Sequence, residues 1–278
     1  MPVNKSLVTI SIPTYNSEKF LGLCLDAIAK QTYSSYEINL VDGGSKDRTL
    51  KIAKEKGITN ITFCKESLLK SRYEGVKSSN GKFILLLDSD QVLEPKALEL
   101  LVNEVSQNDM IVLGEDVYKK ETFLEKLFSY DRKLVHLIKD FNPKTSVMLP
   151  RFYRKEILLK AFEAIPDEVL NSVGGQDHAI IYYEAYLLSS RVTMIPNLVR
   201  HIEPSKIIPM LKKFYRWGYT SVGARNTRYS ELLARKEHFR TGLFRRGLLK
   251  ESVASILLLL IKGLPYKLGY LIAKGKNK

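Results

Sequence analysis

Residues 83–90 read Phe-Ile-Leu-Leu-Leu-Asp-Ser-Asp, an unbroken apolar run that ends on two carboxylates, Asp88 and Asp90. A strand buried on both faces of a parallel sheet has this composition, because neither of its faces meets water. The carboxylates then fall at the carboxyl end of the strand, where open α/β sheets bind their ligands. Two hard oxygen donors so close, with no thiol or imidazole beside them, suit Mg2+ or Mn2+, which in turn neutralise a diphosphate. A bare Asp-x-Asp is also what an acidic turn capping the next helix looks like; its place straight after a buried strand favours the metal–diphosphate reading.

The flanking sequence alternates. Short β-branched or apolar runs at 8–12, 38–41, 61–63 and 110–113 read as strands. Between them, 17–32, 50–56, 70–79 and the segment from Pro95 carry apolar residues at helical spacing; Pro95 suits a first helical turn. Strand–helix alternation implies right-handed crossovers and an α/β domain with a mostly parallel sheet. Two other nucleotide motifs are missing. No G-x-G-x-x-G follows the first strand, and the P-loop-like stretch from Gly75 to Phe83 has the wrong spacing, no hydroxyl after Lys82, and precedes a strand.

Four segments together resemble the family 2 glycosyltransferases of GT-A fold. They are Val8-Thr9-Ile10-Ser11-Ile12-Pro13-Thr14-Tyr15-Asn16, Leu40-Val41-Asp42-Gly43-Gly44-Ser45-Lys46-Asp47-Arg48-Thr49, Ser71-Arg72-Tyr73-Glu74-Gly75, and the strand ending at Asp88-Ser89-Asp90. The resemblance covers roughly the first two hundred residues. It implies a nucleotide-diphosphate sugar donor, a divalent metal and inversion at the anomeric carbon. It places Pro13, Tyr15 and Asn16 at the base and ribose, Asp42 at the base, and Arg72, Asp88 and Ser89 along the donor. Asp88 and Asp90 become the metal-binding pair, with Asp90 the direct ligand. Each position also has a plain structural reading: Asp42 shaping a tight turn before two glycines, Pro13 and Asn16 an ordinary strand exit, Arg72 a solvated helix residue.

Displacing a nucleotide with a sugar hydroxyl calls for a carboxylate that takes the proton. Gly174-Gly175-Gln176-Asp177-His178, before the helical stretch 179–188, matches the family's base motif with Gln in place of Glu. Asp177 is therefore the expected base, though an Asp there also suits a helix amino terminus. His201, in Arg200-His201-Ile202-Glu203, matches a histidine that reaches metal or diphosphate in relatives, and His178 is placed near the acceptor. His136 and His238 have no distinguishing context. The sequence is less readable from 114 to 173: 123–138 is expected to be helical, 148–153 a strand, and Arg151 and Arg154 either hold an acceptor phosphate or are surface charges.

Charge divides the chain. Residues 1–199 hold 26 Lys/Arg and 26 Asp/Glu, whereas residues 200–278 hold 18 and 4, and so carry the whole net charge of +14. This basic segment has apolar stripes at Ile207, Leu211, Phe214, Gly218 and Val222, and again from Leu248, with breaks expected at Gly263 and Pro265. Its longest charge-free stretch, 252–261, is far shorter than the roughly 20 residues a membrane span requires. The expectation is a GT-A catalytic domain at 1–200 and basic amphipathic helices at 201–278 that dock on an anionic membrane surface. Nucleic acid is not expected, since no binding motif for it is present.

Cys24 and Cys64 lack metal-ligand spacing and read as free thiols of a reducing compartment, and no signal peptide is expected before the first strand. The expected activity is a metal-dependent, inverting transfer from UDP- or GDP-sugar to a lipid or lipid-linked glycan at the cytoplasmic membrane face. The alternatives are a polyprenyl-phosphate sugar synthase, whose anionic acceptor needs no base, and a non-catalytic membrane adaptor of the same fold.

Overall fold

The computed structural model describes residues 6–137, 140–224, 227–236 and 247–276; His238 lies outside them. An eight-stranded sheet, ordered β3-β2-β1-β4-β7-β6-β8-β5, forms the centre. Its strands are β1 (Val8–Thr14), β2 (Tyr36–Asp42), β3 (Ile61–Phe63), β4 (Phe83–Leu86), β5 (Gln91–Leu93), β6 (Met110–Val117), β7 (Phe152–Arg154) and β8 (Val192–His201). Pairing is parallel through β3, β2, β1 and β4 and again between β6 and β8; β7 and β5 run antiparallel to their neighbours. The sheet is mixed, and its parallel half, β3 to β4, is the part built from the strand–helix alternation read in the sequence.

The run at 83–87 does what its composition demands. Phe83, Leu85 and Leu87 enter one hydrophobic core while Ile84 and Leu86 enter the other. Successive side chains of a strand point to opposite faces, so both faces must be apolar. Helices α1 (Leu21–Ala29), α2 (Thr49–Glu55) and α4 (Ala97–Glu104) supply the first core; α3 (Leu68–Lys77), α6 (Lys155–Glu163), α7 (Asp167–Ser172) and α8 (Asp177–Leu188) line the second. α5 (Phe123–Val135) starts at a capping box in which Thr122 and Glu125 bond each other's backbone N–H groups.

Two long helices follow the sheet, α9 (Ile207–Ser221) and, after the short α10 (Ser230–Lys236), α11 (Leu249–Lys276). Leu124, Leu127 and Phe128 of α5, Met210 of α9 and Ala254 and Leu258 of α11 share a third, smaller core. The expected break at Gly263 and Pro265 is absent: α11 runs through both for 28 residues. A proline inside a helix costs about 3 kcal/mol. Packing of α11 against α9 and α5 along its length offsets that cost, a tertiary effect that local sequence does not report. By length and composition this one helix is sufficient to cross a bilayer.

Candidate active site

Four loops meet above the carboxyl ends of β1, β2 and β4. The Asp42 carboxylate is fully buried: Oδ1 accepts from Gly44 and Ser45 N–H (2.9 and 2.8 Å), and Oδ2 from the Ser45 and Thr14 hydroxyls (2.6 and 3.1 Å). The turn-shaping role is thus realised, and these bonds use all of the roughly four acceptor positions a carboxylate has. Pro13 lies inside β1 opposite Val41, not in the loop that follows it. Tyr15 is exposed at the loop tip, and Asn16, at a left-handed φ of 49°, accepts from Lys46 N–H (2.9 Å). Ser89 donates to the Ser17 hydroxyl (3.0 Å), tying the β4 turn to the same loop.

Arg72 is not a solvated helix residue. It is 1% exposed on α3 and joins two carboxylates, with Nε donating to Asp177 Oδ2 (2.5 Å) and Nη2 to Asp88 Oδ1 (2.5 Å). Its Nη1 is buried without a partner. Arg151 holds the other Asp88 oxygen (2.9 Å) and reaches Glu115 through Nε (3.1 Å). Arg132, on α5, donates to Glu115 Oε2 (2.5 Å) and to Glu203. The chain of alternating charge therefore runs Asp177, Arg72, Asp88, Arg151, Glu115, Arg132, Glu203. Arg154, by contrast, bonds Asp109 (2.6 Å) beside Arg191 and has no part in this chain.

Asp90 belongs to a second pairing. His201 Nε2 stands 3.1 Å from Asp90 Oδ1, and Lys213 Nζ of α9 stands 3.7 Å from Oδ2. Burial opposes ionisation of Asp90, but His201 and Lys213 outweigh it and bring its pKa down to about 2. Burial alone would likewise lower His201, yet Asp90 and Glu203 raise its pKa to about 9. Asp88 and Glu115 stay well below the usual carboxylate range because their arginines overcome desolvation. Asp177 is lowered too: burial works against its charge, and Arg72 and then His178 prevail.

Asp177 opens α8 after Gln176, whose φ of 62° is left-handed. His178 Nε2 lies 2.9 Å from Arg151 Nη1. A guanidinium only donates, so Nε2 accepts and Nδ1 carries the proton. That Nδ1 is buried with no partner. Burial first, then Arg72 and Arg151, push the His178 pKa down to about 3. His136 is structural, accepting from Glu115 N–H (3.2 Å).

Among the described residues, no three His, Cys, Asp or Glu side chains converge closely enough to enclose an ion. Asp88, Asp90 and His201 were the residues expected at the metal. Both Asp88 oxygens face arginines, which leaves Asp90 and His201 as the converging pair. Sequence reasoning passed over Glu115, Arg132 and Lys213. Glu203 carried only the signal of standing two residues beyond His201.

A glycosyl transferase family 2 profile matches residues 9–167, more than half of the chain. The chain belongs to glycosyl transferase family 2. Asp177 and His201 lie beyond the matched segment. Among relatives, Bacillus subtilis EpsJ, an uncharacterized glycosyltransferase, is 32% identical over 121 residues, covering 42% of this chain and 35% of EpsJ. Streptococcus pneumoniae glycosyltransferase GlyG is 24% identical over 204 residues, 68% of each chain. The chain thus spans about a third of EpsJ.

Solved structures share the fold of this family 2 member. S. aureus TarS 1–349 in complex with UDP-GlcNAc superposes with a TM-score of 0.59 at 18% identity, covering 97% of this chain and 91% of TarS 1–349. Mannosyltransferase PcManGT from Pyrobaculum calidifontis, in complex with GDP-Man and Mn2+, gives 0.54 at 15% identity over 99% of this chain and 81% of its own. The GT-A-like architecture expected from the four motifs is what these neighbours share.

Proposed function

We propose that the protein is an inverting glycosyltransferase that moves a sugar from a UDP- or GDP-sugar to a hydroxyl of a lipid or lipid-linked glycan at a membrane surface. The observation that carries this reading is Arg72, which joins Asp177 at the head of α8 to Asp88 at the end of the β4 strand. It holds an ionised carboxylate beside the place where donor phosphates would lie. Asp177 Oδ2 is taken by Arg72, leaving Oδ1 to accept the proton of an acceptor hydroxyl. The partnerless Nη1 of Arg72 offers a donor to the diphosphate, and the Nδ1–H of neutral His178 offers one to a sugar hydroxyl. TarS bound to UDP-GlcNAc and PcManGT bound to GDP-Man support a nucleotide-sugar donor.

The residues present fit a divalent cation. His201 Nε2 and Asp90 Oδ1 converge to 3.1 Å and would be the protein groups that hold it. Mg2+ and Mn2+ are commonly held by one or two protein groups plus substrate phosphates, so an enclosing cage is not required. Imidazole in the set favours a transition ion such as Mn2+ over Mg2+. Bound there, the cation would neutralise the departing diphosphate. His201, its pKa raised to about 9, is protonated at neutral pH, so ligation by Nε2 would displace that proton and leave the one on Nδ1, where Glu203 Oε1, 3.5 Å away, is its acceptor.

Residues 1–200 form the catalytic unit in this reading, and residues 201–278 the membrane-associating unit on the cytoplasmic face, where nucleotide sugars are supplied. A phosphate acceptor, as in a polyprenyl-phosphate sugar synthase, is the second reading. The Arg72 bond favours it by weakening Asp177 as a base, which an acceptor already anionic would not need.

Thermal unfolding with UDP and GDP, each with and without Mn2+, tests the donor site. A nucleotide at about 100 times its Kd should stabilise the fold by roughly 2.7 kcal/mol. That gain should require Mn2+ and vanish in Asp90→Ala. No shift with either nucleotide would refute the reading.

A further inference from the structure

The outward face of α11 carries Leu249, Val253, Leu257, Leu260, Leu264, Leu268 and Leu271, all exposed, with Leu249, Leu260 and Leu264 above 60%. Their spacing is 4, 4, 3, 4, 4, 3, an 11-residue repeat. Eleven residues make close to three helical turns, so the ridge drifts only about 20° per repeat and runs nearly straight for about 33 Å. Such a ridge suits a plane. Lys267 and Lys274 stand on the same helix, within the segment that carries the chain's net positive charge, whereas Lys250 and Lys276 lie over the rings of Tyr130 and Tyr219. Long lysine stems lie along apolar surface while their ammonium groups reach headgroups.

The inward face fixes how α11 meets that plane. Asp131 of α5 receives the Ser255 hydroxyl and lies 3.6 Å from Lys262 Nζ; Lys133 donates to Glu251 (2.6 Å). Further along, a Cβ on Gly218 would stand 1.9 Å from the Tyr266 carbonyl oxygen, and one on Gly269 2.1 Å from that of Tyr215. Only glycine permits this approach of α9 and α11. One side of the helix is therefore committed to protein along its length, which suits a helix lying in an interface and not one crossing it, although its length is sufficient for a span.

The same inward face touches the base loop. Gln176 Nε2 donates to the Tyr266 hydroxyl (2.6 Å), and Gly175 lies against Trp217 of α9, 3.0 Å from where its Cβ would stand. Gln176 holds the left-handed turn from which Asp177 leaves. We propose that α11 rests its leucine ridge on an anionic lipid surface and that Tyr266 transmits this docking to the loop bearing Asp177, so that lipid sets the position of the base. Tyr266 is a positioning residue. The role of Asp177 rests on the glycosyltransferase reading; the lipid contact and the coupling do not.

The test uses the full chain with vesicles of phosphatidylglycerol and phosphatidylcholine, and with phosphatidylcholine alone. Co-sedimentation reads docking, and amide hydrogen exchange at residues 175–178 reads the loop. The wild-type chain should bind the anionic vesicles, and exchange at 175–178 should slow by about tenfold. Leu260→Glu with Leu264→Glu, at exposed positions that leave the fold intact, should lose both effects. Tyr266→Phe should bind like wild type and lose the slowing. Wild-type binding with unchanged exchange overturns the coupling, and so does slowing that survives Tyr266→Phe. Undiminished binding of the double variant overturns the docking face. Concentration-dependent self-association with no vesicle binding overturns it in favour of a second copy of the chain. None of these readouts needs a donor, so a failed nucleotide shift separates failure of the glycosyltransferase reading from failure of this one.

Discussion

Arg72 Nε lies 2.5 Å from Asp177 Oδ2, while Nη2 of the same guanidinium lies 2.5 Å from Asp88 Oδ1. One planar cation thus sets the spacing between the expected base and the strand end that would carry the diphosphate. Lysine has no comparable fork. Arg72→Lys should therefore retain the charge and lose the geometry. Removing the charge altogether in Arg72→Met leaves the buried Asp177 without its cation, while half-buried Asp88 keeps Arg151, at a cost of about 3 kcal/mol. Urea denaturation should rank the two variants in that order, and equal midpoints would contradict a two-carboxylate role for Arg72.

Asp177→Asn distinguishes the two acceptor classes. General base catalysis contributes roughly 10²–10⁴ in rate, and a hydroxyl acceptor should show a loss in that range at unchanged donor affinity. A phosphate acceptor should leave turnover near normal. Steady-state kinetics with each acceptor class, together with nucleotide binding measured separately, reads the difference.

His178 gives the protein an acid-sensitive stability. Its folded pKa of about 3 lies below the value near 6.5 that an unfolded histidine has. Between these limits the unfolded chain binds more protons, so stability falls as pH drops through about 6.5, by up to roughly 1.4 kcal/mol per pH unit. Carboxylates add their own losses lower down, which the comparison with His178→Asn removes. Relative to the variant, the wild type should lose stability from pH 7 to pH 5. Parallel stability curves would show that His178 does not enter the folded state neutral.

The fold was legible where one local pattern admits one structure. The apolar run at 83–87, buried on both faces, identified a central strand, and its acidic end falls among the paired charges of the candidate site. Arg72 was legible only through the motif around it, because nothing local distinguishes a buried helical arginine from a solvated one. Glu115, Arg132 and Lys213 were not legible at all. Each is an ordinary charged residue in its own element and gains its role from partners 17 to 123 residues away in sequence, namely Arg132, Glu203 and Asp90. Pro265 misled for the same reason: the glycine-mediated contacts that let α11 continue past it belong to another helix.

Glu115 shows how much burial decides what an ion pair contributes. Its carboxylate stands between Arg132 Nη1 (2.5 Å) and Arg151 Nε (3.1 Å), and also accepts from Gln91 Nε2 (3.2 Å). In Glu115→Gln the volume is kept, but an amide NH2 turns toward one of two guanidinium groups that have lost their shared counter-charge. Breaking one side of such a network, whose side chains are only 12–20% exposed, costs toward the low end of about 3–5 kcal/mol, and salt should recover little of it because screening acts weakly on largely buried pairs. Lys51 and Glu55 supply the control. They pair at 3.8 Å on α2 with side chains 66% and 53% exposed, and Lys51→Ala should change stability by no more than about 0.5 kcal/mol. Urea titrations of both variants at low and high salt should separate them by several kcal/mol at either ionic strength. A Glu115→Gln loss as small as that of Lys51→Ala would mean that Arg132 and Arg151 find other partners, and that the chain of alternating charge does not hold Asp88 in place.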